Sequence, residues 1–292
     1  MKPIHRISLA LAVAALAATA TACGTTEGPE AIDDPRPSTT TTSRPTADPP
    51  GDDEIVWQEF TRGGFVPSEF AAGQVPAVTI YADGRVILTS DDADLGADRP
   101  TGLEEAQIAD GDLDRFLAEA ADSGLFEPDT DFGDPMVTDQ PSTSVTLRSG
   151  DAPRTVDVYA LDFELDPTVG GVTTDQSDRR ERLKGLLEQA RDLAIDPQPY
   201  VPERVKATLI TYASDVGSDP EAIDWPGPPL SAFPDPSPDG ASSTCLVVEG
   251  PDAAAVSAAA AENPDSTWAI DGEVRQIVVA PLVPGQEGCP PS

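Results

Sequence analysis

The sequence predicts an α+β protein: antiparallel β-hairpins covered by helices, arranged as two subdomains behind a disordered N-terminal tether. Three observations carry that expectation. Asp83-Gly84, Ser149-Gly150-Asp151 and Asp271-Gly272 each sit between apolar, β-branched runs, and such a short turn between two such runs signals a hairpin. Three other stretches place apolar residues at i, i+3, i+4 and i+7, the period of a helix buried on one side. Residues 24–53, GTTEGPEAIDDPRPSTTTTSRPTADPPGDD, hold almost no apolar side chain and cannot offset the entropy of ordering.

The N-terminus reads as an export signal, residues 1–22. Met1 to Arg6 carries Lys2 and Arg6 and no acid, and Ile7 to Ala22 is a run of small and apolar residues. That run is short for a permanent span of about 30 Å of hydrocarbon, and suits the core of a signal peptide. It ends in Ala20-Thr21-Ala22-Cys23-Gly24. Ala20 and Ala22 fit ordinary secretory cleavage, whereas the same residues resemble a lipobox whose Cys23 becomes the lipidated first residue. Ala20 stands where Leu is commoner in that signal.

Cysteine parity bears on this choice. The chain has three cysteines, and an exported protein meets an oxidising environment in which an unpaired thiol is a liability. Cys245 and Cys289 can pair, and a thioether to diacylglycerol on Cys23 accounts for the third. A loop of that size restrains the unfolded chain by about 4 kcal/mol in the entropy model. A zinc pair is the competing reading, and neither cysteine has a neighbouring His or Cys to complete one. Residues 23–53 would then form a lipid-anchored tether, reaching about 30 Å as a coil and roughly 90 Å fully extended.

The body falls into residues 54–196 and 197–292, divided near Pro197-Gln198-Pro199. In the first part, Val78, Ile80 and Tyr81 pair through Asp83-Gly84 with Val86, Ile87 and Leu88, and Val145 and Leu147 pair with Val156 and Val158. Leu113, Phe116, Leu117 and Ala120 mark a helix with Asp112 as N-cap and Gly124 at its stop. A longer stripe through Leu183, Leu186, Leu187 and Ala190 marks a helix over Ser177 to Leu193. In the second part, Val205 to Tyr212 and Cys245 to Val248 are single strands. Pro251, a favoured first helical residue, starts an alanine-rich helix to Ala261. Thr267 to Ile270 and Val274 to Ala280 form the third hairpin. Ser218 to Ser242 is Pro-rich but contains Trp225, Leu230 and Phe233, so it is expected to pack as an ordered loop.

The inventory of reactive groups excludes much chemistry. With 52 acidic and 18 basic residues the formal charge is −34, which argues against binding nucleic acid or an anionic membrane surface. The one histidine is His5, inside the signal, so Ser-His-Asp and Cys-His systems and His-ligated zinc fall away. No phosphate-binding glycine loop is present. An enzyme built from these residues would use carboxylates. The acidic loops Asp91-Asp92-Ala93-Asp94 and Asp129-Thr130-Asp131-Phe132-Gly133-Asp134 are the most concentrated. Asp129, Asp131 and Asp134 form the candidate calcium set, although the calcium-loop pattern fails at Gly133. The competing reading is a solvated acidic loop. Arg179, Arg180, Arg182 and Lys184 read as local salt bridging on a helix. Trp57, Trp225 and Trp268 read as core before ligand platform, as do Phe60 and Phe65 beside Gly63-Gly64.

Ala20-Thr21-Ala22-Cys23-Gly24, and less specifically Gly64-Phe65-Val66-Pro67, Tyr81-Ala82-Asp83-Gly84-Arg85 and Pro281-Leu282-Val283-Pro284 with Cys289-Pro290, resemble actinobacterial envelope lipoproteins. The resemblance implies a location and brings no activity or catalytic residue with it. The expectation is a monomeric lipoprotein anchored through Cys23 on the extracytoplasmic face of the cell membrane. It has no cofactor, an envelope partner of unknown identity, and a binding or structural role. A carboxylate-dependent hydrolase acting on cell-wall polysaccharide and a calcium or small-ligand module are the alternatives.

Overall fold

The computed structural model describes residues 53–90, 102–150, 152–164, 170–210, 221–235, 243–264 and 266–289. The signal, Cys23, the tether and the Asp91-Asp92-Asp94 cluster lie outside these residues. The fold is mixed α and β, mostly antiparallel, with four helices among the described residues.

In chain order the first elements are β1 (Ile55–Gly63), α1 (Ser68–Gly73), β2 (Val78–Tyr81), β3 (Arg85–Thr89), β4 (Leu103–Gln107) and α2 (Asp112–Asp122). Next come β5 (Pro141–Arg148), β6 (Pro153–Tyr159), α3 (Thr174–Asp192), β7 (Ile195–Pro199) and β8 (Arg204–Ile210). Last are β9 (Ile223–Asp224), β10 (Ser243–Glu249), α4 (Pro251–Glu262), β11 (Trp268–Ile270), β12 (Glu273–Arg275) and β13 (Ile277–Leu282). A seven-stranded sheet runs in the order β6-β5-β1-β2-β3-β4-β7. Every neighbouring pair in it is antiparallel. Two three-stranded sheets follow, β10-β8-β13 and β12-β11-β9.

Asp83-Gly84 and Asp271-Gly272 turn the chain as expected. Gly84 and Gly272 both have positive φ; Gly84 closes the three-residue connection Ala82 to Gly84 and Gly272 the two-residue connection after Ile270, both common hairpin loops. The third hairpin is shorter than the sequence suggested. β12 stops at Arg275, and from Ile277 the chain leaves β11 to pair with β8. Gln276 marks the switch, its carbonyl accepting from the Ile210 N–H at 3.0 Å. Ile195–Pro199, where the division is expected, is the edge strand β7 lying against β4. An edge tolerates Pro197 and Pro199, since the side facing away needs no N–H donor.

Helix limits follow their caps. α2 begins at Asp112 with left-handed Gly111 as the N-cap, so Asp112 is the first helical residue instead of the cap. α3 begins three residues before Ser177 because Thr173 and Gln176 form a capping box, each side chain bonding the other's backbone N–H. α4 starts on Pro251 as expected.

The largest core joins Trp57, Val78, Ile80, Val86, Val145 and Leu147 of the large sheet to Phe116 and Ala120 of α2 and to Leu183, Leu187 and Ala190 of α3. Trp57 meets Phe116 and Phe126 edge-on, at ring separations of 4.9 and 5.8 Å. A second core gathers Val205, Ala207, Val248, Val256, Ile277 and Val279 with Trp225, Phe233 and Trp268. Trp225 and Phe233 are buried as expected for an ordered Pro-rich loop, and Trp225 stands edge-on to Trp268 at 5.1 Å. All three tryptophans therefore belong to the cores. On the opposite face of the large sheet, Tyr81, Ile87 and Leu103 pack with Ala280 and Val283 of the C-terminal segment.

Candidate functional site

Cys245 and Cys289 are joined, with Cα atoms 5.6 Å apart. Cys245 is held on β10 opposite Thr208 of β8. The chain before Cys289 can approach because Gly288 has no side chain; a Cβ there would overlap Val247. The bond thus fastens the C-terminal turn to a strand already fixed by sheet pairing.

The Asp129–Asp134 loop does not assemble a cation site. Among the described residues no three His, Cys, Asp or Glu side chains converge. Both carboxylate oxygens of Asp131 are engaged, one accepting from the Gly133 N–H at 2.8 Å and the other from Gln176 Nε2 at 2.7 Å. The Gly133 bond, then the Gln176 bond, hold the Asp131 pKa below its ordinary value. Arg179 also donates to the Asp131 carbonyl, at 3.0 Å. Asp129, Asp131 and Asp134 therefore belong to a loop that docks against the first turn of α3. Gly171 completes the dock: its carbonyl accepts from the Asp134 N–H at 3.1 Å, and a Cβ on it would overlap the Asp134 carbonyl.

The basic cluster serves the same region. Lys184 pairs with Glu181 at 3.0 Å, the local bridge the sequence suggests. Arg179, Arg180 and Arg182 instead reach backbone carbonyls on other segments. Arg180 is buried, and donates to the carbonyls of Phe132 at 3.3 Å, of Tyr159 at 2.8 Å and of Ala160. Burial lowers its pKa while Asp162 and Glu181 oppose that shift. The sequence spacing that suggests i, i+4 bridging contains no sign of these long-range carbonyls.

Among the described acids, Glu59 is the one whose pKa is raised. Only 7% exposed on β1, it accepts from Arg191 Nη2 at 3.3 and 3.4 Å. Desolvation raises its pKa, Arg191 works against the rise and Asp162 adds to it. A carboxyl held partly towards its neutral form is what a general acid needs, but this one is turned into the core beneath α3 with an arginine across it.

Two concavities among the described residues bear on the question. One, of about 360 Å³, lies between α1 and the end of α4, lined by Glu69, Asn263, Ser266, Gln276 and Val278 among others. Its single described carboxylate has a local hydroxyl partner, Ser68, at 3.2 Å. The other is an open groove of about 620 Å³ between α2 and α3, floored by Leu125 and Leu186 and rimmed by Glu119, Asp122 and Arg182. No protein-family model matches the chain, and no curated protein or solved structure matches it either.

Proposed function

We propose that this chain is exported and held at the extracytoplasmic face of the cell membrane by lipid on Cys23, where its acidic body has a binding or envelope-structural role. One observation carries the reading. Cys245 and Cys289 close on each other, which leaves Cys23, directly after the apolar run of residues 7–22, as the third of three cysteines. A structural disulfide belongs to an oxidising compartment, and lipidation removes the remaining thiol. Two or three acyl chains suffice for stable attachment without a spanning helix. In this reading the body is two α+β subdomains, residues 54–196 and 197–292, the first sheet backed by α2 and α3 and the second by α4.

The test is metabolic labelling with palmitate of cells expressing the full chain or its Cys23→Ser variant, followed by detergent-phase partitioning. The parent chain should take up label and enter the detergent phase, and the variant should do neither. An unlabelled parent, or a variant retained at the membrane, overturns the anchor.

A further inference from the structure

The two edges of the large sheet are built differently. β7 is protected: Pro197 and Pro199 interrupt it, and with β4 it brings Glu104, Glu105 and Asp196 to that edge with no base. β6 has seven residues, Pro153–Tyr159, with proline only at its first position. It has no lysine and no recorded register shift against β5. Pro153, Arg154, Thr155 and Asp157 are exposed. In a chain of charge −34, β5 and β6 carry Arg148 and Arg154 against Asp157. Arg154 pairs with Glu127 and Arg148 with Glu54, so charge is balanced locally at this edge.

The backbone parity of β6 is fixed by its neighbours. The Ala160 N–H bonds to the Pro141 carbonyl of β5 at 2.8 Å. By alternation Arg154, Val156 and Val158 also turn their peptide groups to β5. Pro153, Thr155, Asp157 and Tyr159 then turn theirs outward, and the Tyr159 carbonyl already accepts from Arg180.

An antiparallel copy of β6 placed on a two-fold axis through Val156 sets Thr155 opposite Asp157 of the other copy, and Pro153 opposite Tyr159. The Thr155–Asp157 pairs exchange both backbone bonds. Pro153 has no N–H to give, and the Tyr159 carbonyl it faces is already filled by Arg180. The Tyr159 N–H meets the Pro153 carbonyl. No outward donor or acceptor is left over. An axis at Thr155 instead leaves the Asp157 carbonyl facing Pro153 without a donor, and one at Asp157 sets two carboxylates opposite each other.

We infer that the β6 edge pairs with the β6 edge of a second copy of this chain, joining two seven-stranded sheets across a two-fold axis at Val156. This replaces the expected monomer and is independent of the lipid anchor. The interface is isologous, as most soluble dimers are.

The geometry provides a direct test in the full chain. Val156 faces its own copy as a non-hydrogen-bonded pair, with Cα atoms about 4.5 Å apart, within disulfide range. Arg154, on the same face, would lie roughly 13 Å from its own copy. Val156→Cys under mild oxidation should give a dimer-sized band on a non-reducing gel, at least fivefold above both Arg154→Cys and the unsubstituted chain, which sets the background from Cys23. Asp157→Pro added to Val156→Cys removes the outward N–H, together with the carboxylate that accepts from Ser144, and should abolish that band, whereas Asp157→Asn, which removes the charge and keeps the N–H, should retain it. Equal cross-linking by Val156→Cys and Arg154→Cys overturns the inference. So does a band of other mass, which would mean that a different protein supplies the strand. Sedimentation equilibrium of the unsubstituted chain in detergent checks this without any substitution: a dimer mass is expected, and a single-copy mass at all concentrations overturns it.

Discussion

The Tyr81 hydroxyl donates to the Pro284 carbonyl at 2.9 Å, tying the second strand of the large sheet to the turn that follows β13. Tyr81 is buried on the face that also receives Ala280 and Val283, and Arg85 lies over its ring at 4.3 Å. This contact is the polar centre of the junction between the sheet and the C-terminal segment, so it is a direct place to measure how firmly the two are joined. Tyr81→Phe keeps the ring and removes the hydroxyl. It should lower unfolding free energy by about 1 kcal/mol, the usual worth of one such bond, with the denaturant slope unchanged. Tyr81→Ala should cost about 3–5 kcal/mol through the cavity it leaves. Equal losses for the two variants would show that the hydroxyl, not the ring, carries the junction.

Arg180 supplies donors to three carbonyls, Tyr159 and Ala160 at the end of β6 and Phe132 in the loop between α2 and β5. Arg180→Met fills a similar volume but leaves those carbonyls without it. A loss of about 3 kcal/mol is expected by chemical denaturation, since each buried group left unsatisfied costs about 1–3 kcal/mol. Proteolysis should then cut first between residues 129 and 136, which are docked to α3 through the same side of the helix.

Glu59 gives the protein a pH signature opposite to that of an ordinary ion-paired acid. Its pKa is raised in the folded state by burial. The folded form therefore gains from protonation, and this gain is complete below the unfolded value and lost as pH rises through the folded one. Glu59→Gln removes the titration. Denaturant midpoints of parent and variant measured from pH 4 to 7 should diverge, the variant gaining on the parent as pH increases. The reverse trend would mean that Arg191 outweighs desolvation at this position.

The elements legible in the sequence were those whose signals are local. Asp83-Gly84 and Asp271-Gly272 mark their hairpins, and the stripes through Phe116 and Leu183 mark α2 and α3, because turn and helix geometry are set within a few residues. β1, β4 and β7 were not anticipated. β1 has consecutive apolar residues at Ile55, Val56 and Trp57 around a register shift, then a buried Glu59, so it shows no alternation. β4 carries Glu104 and Glu105 between Leu103 and Ala106, which point into different cores. β7 contains two prolines and is exposed along its length. The cysteine pair was legible because parity needs no geometry. The role of Asp131 was not, since its partner Gln176 lies on α3, and the exact turn of a remote helix end has no local sequence mark.

Asp53 and Gly285 close the described body on itself. Arg85 holds the Asp53 carboxylate at 2.6 Å, and a Cβ on Gly285 would sit 3.3 Å from the Asp53 carbonyl. β1, third in the order of the sheet, begins beside the last turn. A pull applied at Asp53 thus loads Arg85 and the C-terminal turn together before it can strip β1 from its neighbours. Because that turn is itself bolted through Cys289 to β10, tension entering at one end of the fold is shared between its sheets.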